Sequence, residues 1–230
     1  MSRASDPLDD HSGELAPTNR RSLSDDVADR LRSAIVLGNF EPGQHLSEAA
    51  LAEKLGTSRG PIREALAALE REGLLTIERH RGARVMRLSQ IDIDEIYELR
   101  HALERLAVER ALRSATDDDF VAMETIVAEL RAAVKARDVR AVVTLDVRFH
   151  DAIYRAANHA RLYQAWSTLR PQIETFLHSR SLDTRDYLKK AVREHAELLD
   201  VIRSRSKRNA IAMIDDHLRS AYERLSQLSS

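Results

Sequence analysis

Asp146, His150, His195 and His217 are the residues of this chain whose types and spacing best suit chemistry. Each interrupts an apolar run with helical period: Val142, Asp146, Phe149, His150 and Ile153; Leu188, Val192, His195, Leu199 and Ile202; Ile214, His217, Leu218, Ala221 and Leu225. A titratable side chain on a core-facing stripe is costly unless it has a partner. A lone histidine there is most simply a satisfied core residue. Four such groups on three predicted helices are better explained as ligands of one ion. Asp146 and His150 are four apart, so they project from the same side of one helix. Three imidazoles and a carboxylate suit a borderline divalent cation, Zn²⁺ first, with Ni²⁺ or Mn²⁺ as alternatives. Arg100 lies between Ile96 and Leu103 at the edge of another inward stripe, where a guanidinium needs an anion. Its partner is either the carboxylate of a small effector or Glu104, one turn further on.

A second constellation is built for nucleic acid. Arg59 and Arg63 share one helical face, roughly opposite Leu66 and Leu69. Arginine can take guanine O6 and N7 with two hydrogen bonds, or clamp a phosphate. Ser58 stands at the helix start, where a hydroxyl and nearby amides can meet a phosphate. Arg79, Arg81 and Gly82 sit in a basic hairpin suited to backbone or minor-groove contact, the glycine allowing close approach of the main chain. An isolated arginine pair would read as a solvated helix face. The order helix, turn, helix, hairpin favours DNA reading. From Lys54 to Arg87 there are eight Lys and Arg against four Glu, a local charge of +4 in a chain of net charge -1.

The elements that position these groups follow from periodicity. Residues 1–20 are polar and aperiodic and read as a flexible tail. Residues 21–88 read as a winged helix-turn-helix. A helix runs from Leu23 toward Gly38, and a short one from Glu48 to Leu55 between Ser47 and Gly56. A longer helix carries Pro61 in its first turn and Ile62, Ala65, Leu66 and Leu69 on one face, and stops at Gly73. The β-prone runs Leu74–Ile77 and Ala83–Arg87 then form a hairpin, with Ser89 to Asp92 as linker. Residues 89–230 read as an all-α bundle of about six helices, near 92–114, 117–136, 139–157, 160–180, 185–204 and 207–228. Ile96, Leu99, Leu103 and Leu106 mark the expected inward face of the first. Thr116, followed by three aspartates, caps the second. The predicted fold class is mainly α.

At 230 residues the chain can hold two domains and a sizeable core. No apolar run approaches the ~20 residues that span a bilayer, and the first residues lack the apolar core of a signal peptide. With no cysteine there is neither a disulfide framework nor a thiolate metal site. A cytoplasmic location is expected.

The run LSEAALAEKLGTSRGPIREALAALEREGLLTIERHRGARV resembles the winged-helix domain of GntR-type transcriptional regulators. The resemblance implies DNA binding through Arg59 and Arg63, with Gly82 at the wing tip. Gly60 departs from the family pattern, which has threonine or another hydroxyl residue there, and removes one phosphate contact. YELRHALERLAVERA, the D-x-x-x-H of Asp146 and His150, the E-H-x-x-L-L of His195 and the H-L of His217 resemble the metal-containing ligand-binding (FCD) domain of the FadR-type branch. Together the two resemblances cover residues 22–226. They imply a divalent ion beside which a small organic acid binds, its carboxylate oxygen completing the coordination shell.

The expected function is a ligand-responsive regulator of transcription, a repressor by default. One winged helix reads too few bases for useful specificity, so a homodimer on a near-palindromic operator is expected. A metal sensor is the alternative. A metalloenzyme is a third reading, because such a ligand set can activate water. It is disfavoured because the sequence offers no separate general base or nucleophile, and no catalytic residue is assigned.

Overall fold

In the computed structural model, which describes residues 22–78, 81–179 and 185–227, α1 (Leu23–Val36) starts at a reciprocal cap. The Ser22 side chain accepts from Asp25 N–H while the Asp25 carboxylate accepts from Ser22 N–H. The tail expected over 1–20, and Arg79 and His80 of the expected wing, lie outside the described residues. Strand β1 (His45–Leu46) follows, then α2 (Glu48–Leu55) and α3 (Arg59–Arg71). Gly56 closes α2 in the left-handed conformation, with φ +63°. Ile62, Ala65, Leu66 and Leu69 are buried as expected and hold α3 on a small core shared with Val27, Leu31 and Ile35.

Strands β2 (Leu75–Glu78) and β3 (Gly82–Val85) form the antiparallel wing, with Leu75 opposite Val85 and Glu78 opposite Gly82. Each lies within a residue or two of its expected position. The sequence reading missed β1, which adds to the other edge of β3 and gives the order β1-β3-β2. Two residues are too few for an alternating signal, and β1 exists because β3 offers a free edge and Leu46 reaches the core. Gly82 has φ +101°, and a Cβ there would fall on the Leu46 carbonyl oxygen. Its lack of a side chain is therefore demanded by β1 as well as by close approach to a partner.

A second core belongs to the helices α4 (Gln90–Ser114), α5 (Asp117–Ala136), α6 (Val139–Ala156), α7 (Ala160–Ser179), α8 (Arg185–Arg203) and α9 (Lys207–Gln227). Their limits match the expected ones within the usual uncertainty at frayed ends. The expected linker is shorter, because Ser89 and Asp92 form a capping box that starts α4 at Gln90. Thr116 caps α5 the same way with Asp119.

The inward face of α4 differs from the apolar stripe. Leu99 and Leu106 are 51% and 41% exposed, while Arg100 and Glu104 are 2% and 1% exposed. Ion pairing reverses the hydropathy rule here. Arg100 and Glu104 satisfy each other at 2.6 Å inside the bundle, and the leucines turn outward. Helix α6 packs against α4, α5, α7 and α8, so its polar face lies at the centre.

Candidate metal centre and DNA-reading surface

Asp146 and His150 on α6, His195 on α8 and His217 on α9 meet inside the bundle. His150 and His195 are fully buried, and Asp146 and His217 nearly so. One nitrogen from each imidazole lies within 4.8 Å of the others, and Asp146 Oδ1 is 3.2 Å from His195 Nε2.

The outward-facing nitrogens are already engaged. His195 Nδ1 lies 2.6 Å from the Ala191 carbonyl oxygen, and His217 Nδ1 lies 3.2 Å from Glu194 Oε2. His150 Nδ1 is 2.6 Å from Glu104 Oε2, off the ideal hydrogen-bond line. Each Nδ1 faces an oxygen acceptor, so the neutral tautomer that satisfies it carries its proton there. The Nε2 atoms are then lone-pair donors pointing inward. His217 Nε2 and His150 Nε2 stand 3.2 Å apart, and His195 Nε2 has no hydrogen-bond partner despite the nearby carboxylate. Lone pairs facing one another in a dry interior repel without a cation or a proton between them. Two nitrogens bound to one tetrahedral Zn²⁺ at its usual bond length would sit about 3.3 Å apart. The residues present therefore fit a divalent metal ion.

Burial and neighbouring charges compete over the protonation of these groups. Burial works to lower His195, but the Asp146 carboxylate raises it above the ordinary histidine value. Burial pushes His217 down to about 4, with the neighbouring imidazoles adding to the effect. Burial works to raise Asp146, yet His195 beside it holds its carboxyl well below the usual range. Glu104, despite burial, is held at about 2 by Arg100 and His150.

Arg100 takes the intrachain partner weighed for it, Glu104, which thereby joins α4 to His150. The buried Tyr97 ring lies beneath the guanidinium, with Arg100 Cζ 5.6 Å from its centroid. Sequence reasoning assigned no role to Glu194, whose signal is its place directly before His195. It also passed over Asp151, which follows His150 and is buried.

Of the residues expected to read DNA, Arg59, Arg63, Arg81 and Gly82 meet on one concave surface. A groove of about 640 Å³ is lined by Ser47, Glu48, Arg59, Arg63, Arg81 and Gly82, from α2, α3 and the wing. Arg63 is mostly exposed and is steered by Glu48, whose Oε2 lies 3.2 Å from its guanidinium. Ser58 precedes α3 as its N-cap residue, exposed and without a capping bond from its side chain. A Cβ at Gly60 would meet nothing closer than Ser58 Oγ at 4.0 Å, so the departure at this position is not imposed by crowding. Arg79 lies outside the described residues.

The profile of "Bacterial regulatory proteins, gntR family" matches residues 23–85, and that of the FCD domain matches residues 95–220. The gluconate operon transcriptional repressor of Bacillus licheniformis is 35% identical over 182 residues, covering 79% of this chain and 73% of that protein. The protein of the same description in Bacillus subtilis (strain 168) is 34% identical and covers 76% of this chain and 70% of its own. Among solved structures, Escherichia coli McbR/YncC superposes with a TM-score of 0.81 at 23% identity, covering 92% of this chain and 100% of that one. A GntR regulator from Rhodococcus sp. gives 0.79 at 24% identity, covering 91% and 100%. At those identities the two structures speak to the fold alone.

Proposed function

Because this chain belongs to the GntR family of bacterial regulatory proteins, with an FCD domain behind its winged helix, we propose that it is a transcriptional repressor whose grip on a near-palindromic operator is set by a small organic acid bound beside a divalent metal ion. It is a DNA-binding regulator and not an enzyme, as its relatives are. No described helix is long and apolar enough to cross a membrane, in keeping with action in the cytoplasm.

The observation that carries the reading is the convergence of three imidazole Nε2 atoms whose Nδ1 atoms already face acceptors. Asp146, His150, His195 and His217 would hold the ion, with Zn²⁺ the best match to the donor set and Ni²⁺ or Mn²⁺ the alternatives. When bound, the ion supplies a Lewis-acidic point for a carboxylate oxygen. The rest of the task falls to the chain. Glu104 and Glu194 orient His150 and His217, and Arg100, its Nε held by Glu104, would turn the rest of its guanidinium toward an acid. In this reading residues 21–88 hold the DNA and residues 89–230 hold the ion and effector.

On the DNA side, Arg59 and Arg63 would enter the major groove from α3 while Ser58, Arg79, Arg81 and Gly82 meet the backbone or minor groove. Two copies are needed for a two-fold operator. The outward leucines Leu99 and Leu106 of α4 support pairing through the helical domain.

The test is capture of genomic DNA fragments by the purified protein. Recovered fragments sharing a near-palindrome, released by a carboxylate such as gluconate, support the reading. Folded, metal-loaded protein that enriches no sequence contradicts it. A second reading, in which the ion itself is the signal, is favoured by the same inward lone pairs, which are electrostatically incomplete without a cation. DNA affinity that tracks free metal and does not respond to any added carboxylate would select it.

A further inference from the structure

Asp151 is a buried carboxylate outside the metal centre, one residue after His150 on α6. Three side chains of α7 donate to its Oδ1: Arg170 at 2.9 Å, Trp166 Nε1 at 3.1 Å and the Tyr163 hydroxyl at 3.3 Å. Arg155 Nε donates to Oδ2 at 2.7 Å. Tyr154, on the same helix, stacks on Trp166 with ring centroids 4.5 Å apart and planes 9° from parallel. The first half of α7 is thus fixed to the helix that carries Asp146 and His150.

Directly after Arg170, α7 contains Pro171. Proline has no N–H, so the Ser167 carbonyl loses its helical partner and the helix bends readily at this point. The Thr175 hydroxyl donates to the Pro171 carbonyl at 2.8 Å, a back-bond that also favours bending. The next residue, Gln172, touches the DNA-reading unit. Gly73, at φ +70°, presents its bare α-carbon to the Gln172 amide, where a Cβ would come within 2.6 Å of Nε2. Gly73 lies in the turn that ends α3. On its other side Glu72 accepts two bonds from Arg32 of α1, both at 2.6 Å, and α1 itself rests on α7.

We propose that α7 relays the state of the metal centre to the recognition helix, with Asp151 and Gln172 as its two anchors and Pro171 as the joint between them. The inference rests on the metal reading above. Drawing His150, His195 and His217 together moves α6 against α8 and α9. Asp151 carries the first half of α7 with α6. Bending at Pro171 converts that shift into motion of Gln172 against Gly73, and so of the end of α3, whose other end bears Arg59 and Arg63. Asp151 and Gln172 are positioning residues. They touch neither the proposed ion nor DNA, so their loss uncouples the two sites without emptying either.

The experiment compares full-length protein with Zn²⁺ and with chelator, in wild type, Gln172→Ala and Asp151→Asn. It reads zinc uptake, amide hydrogen exchange over residues 70–76, and affinity for a duplex that the wild type selects from a random pool. In wild type, zinc changes exchange over 70–76 and shifts DNA affinity by about fivefold or more. In both variants zinc uptake is kept, while the exchange change is lost and the affinity shift falls below about twofold. Should Asp151→Asn lose helicity, Gln172→Ala carries the test alone. Zinc-loaded wild type with unchanged exchange over 70–76, or Gln172→Ala with the full response, overturns the relay and leaves the metal reading standing. Wild type that takes up no zinc overturns both.

Discussion

His217 and His150 face each other Nε2 to Nε2 at 3.2 Å in the centre of the helical bundle, while the other nitrogen of each ring lies against a glutamate. Two imidazoles whose protons are claimed by Glu194 and Glu104 have lone pairs left to face each other. That arrangement is unfavourable by itself and favourable around a cation. His195 completes it from α8, with its Nδ1 on the Ala191 carbonyl.

The glutamates should therefore matter to metal affinity without touching the ion. Glu194→Gln and Glu104→Gln are expected to weaken zinc binding by about 10- to 100-fold. Competition with a chromophoric chelator measures this. Unchanged affinity in Glu194→Gln would mean that His217 is not oriented by its carboxylate. Glu104→Gln should also lower thermal stability, because it leaves the Arg100 charge buried without its ion-pair partner.

Arg63→Ala should cost about 1–3 kcal/mol of specific DNA binding and relax base preference at one operator position, with metal content and helicity unchanged. Affinity measured across a set of single-base operator variants checks it. Retained preference at every position would remove Arg63 from base reading. Glu48 steers Arg63 at 3.2 Å, so Glu48→Ala should loosen the same preference less severely.

Leu99→Asp with Leu106→Asp should leave the fold intact, because both side chains are already 51% and 41% exposed. If α4 forms the pairing face, the double variant sediments as a monomer where the wild type sediments as a dimer. A variant that still dimerises places the interface elsewhere.

The start of α4 predicts a pH effect. The Ser89 hydroxyl and N–H donate to Asp92 Oδ2 at 2.6 and 2.7 Å and hold its carboxyl below the ordinary 3.8. A carboxyl lowered by folding contributes stability above its unfolded value, and that contribution is lost as pH falls through the folded value. Ser89→Ala should return Asp92 toward 3.8 in an NMR titration. It should also cost about 0.5–2 kcal/mol near neutral pH, as loss of a helix cap does. The difference from wild type should shrink on acidification below 3.8. An Asp92 that titrates at its ordinary value in wild type would contradict this.

Much of the site was legible because polar residues on apolar stripes are conspicuous. Asp146, His150, His195 and His217 break three helical periods, and the fold brings them together. The α3 arginines and the wing were legible from the order of elements. What escaped was decided by contacts between distant segments. Two-residue β1 exists through the free edge of β3. The inward face of α4 was set by Arg100, Glu104 and His150, and not by the leucines that hydropathy selects. Asp151 drew no reading from the sequence, because its partners Trp166 and Arg170 come from α7.

The most direct test of the metal centre is equilibrium dialysis of the full-length protein against buffered Zn²⁺, beside His195→Ala. Retention of one ion per wild-type chain, with loss of that ion from a folded His195→Ala variant, is the predicted result. Wild-type protein that holds no zinc, or a variant that holds it equally well, would contradict the account and make His195 an ordinary buried histidine.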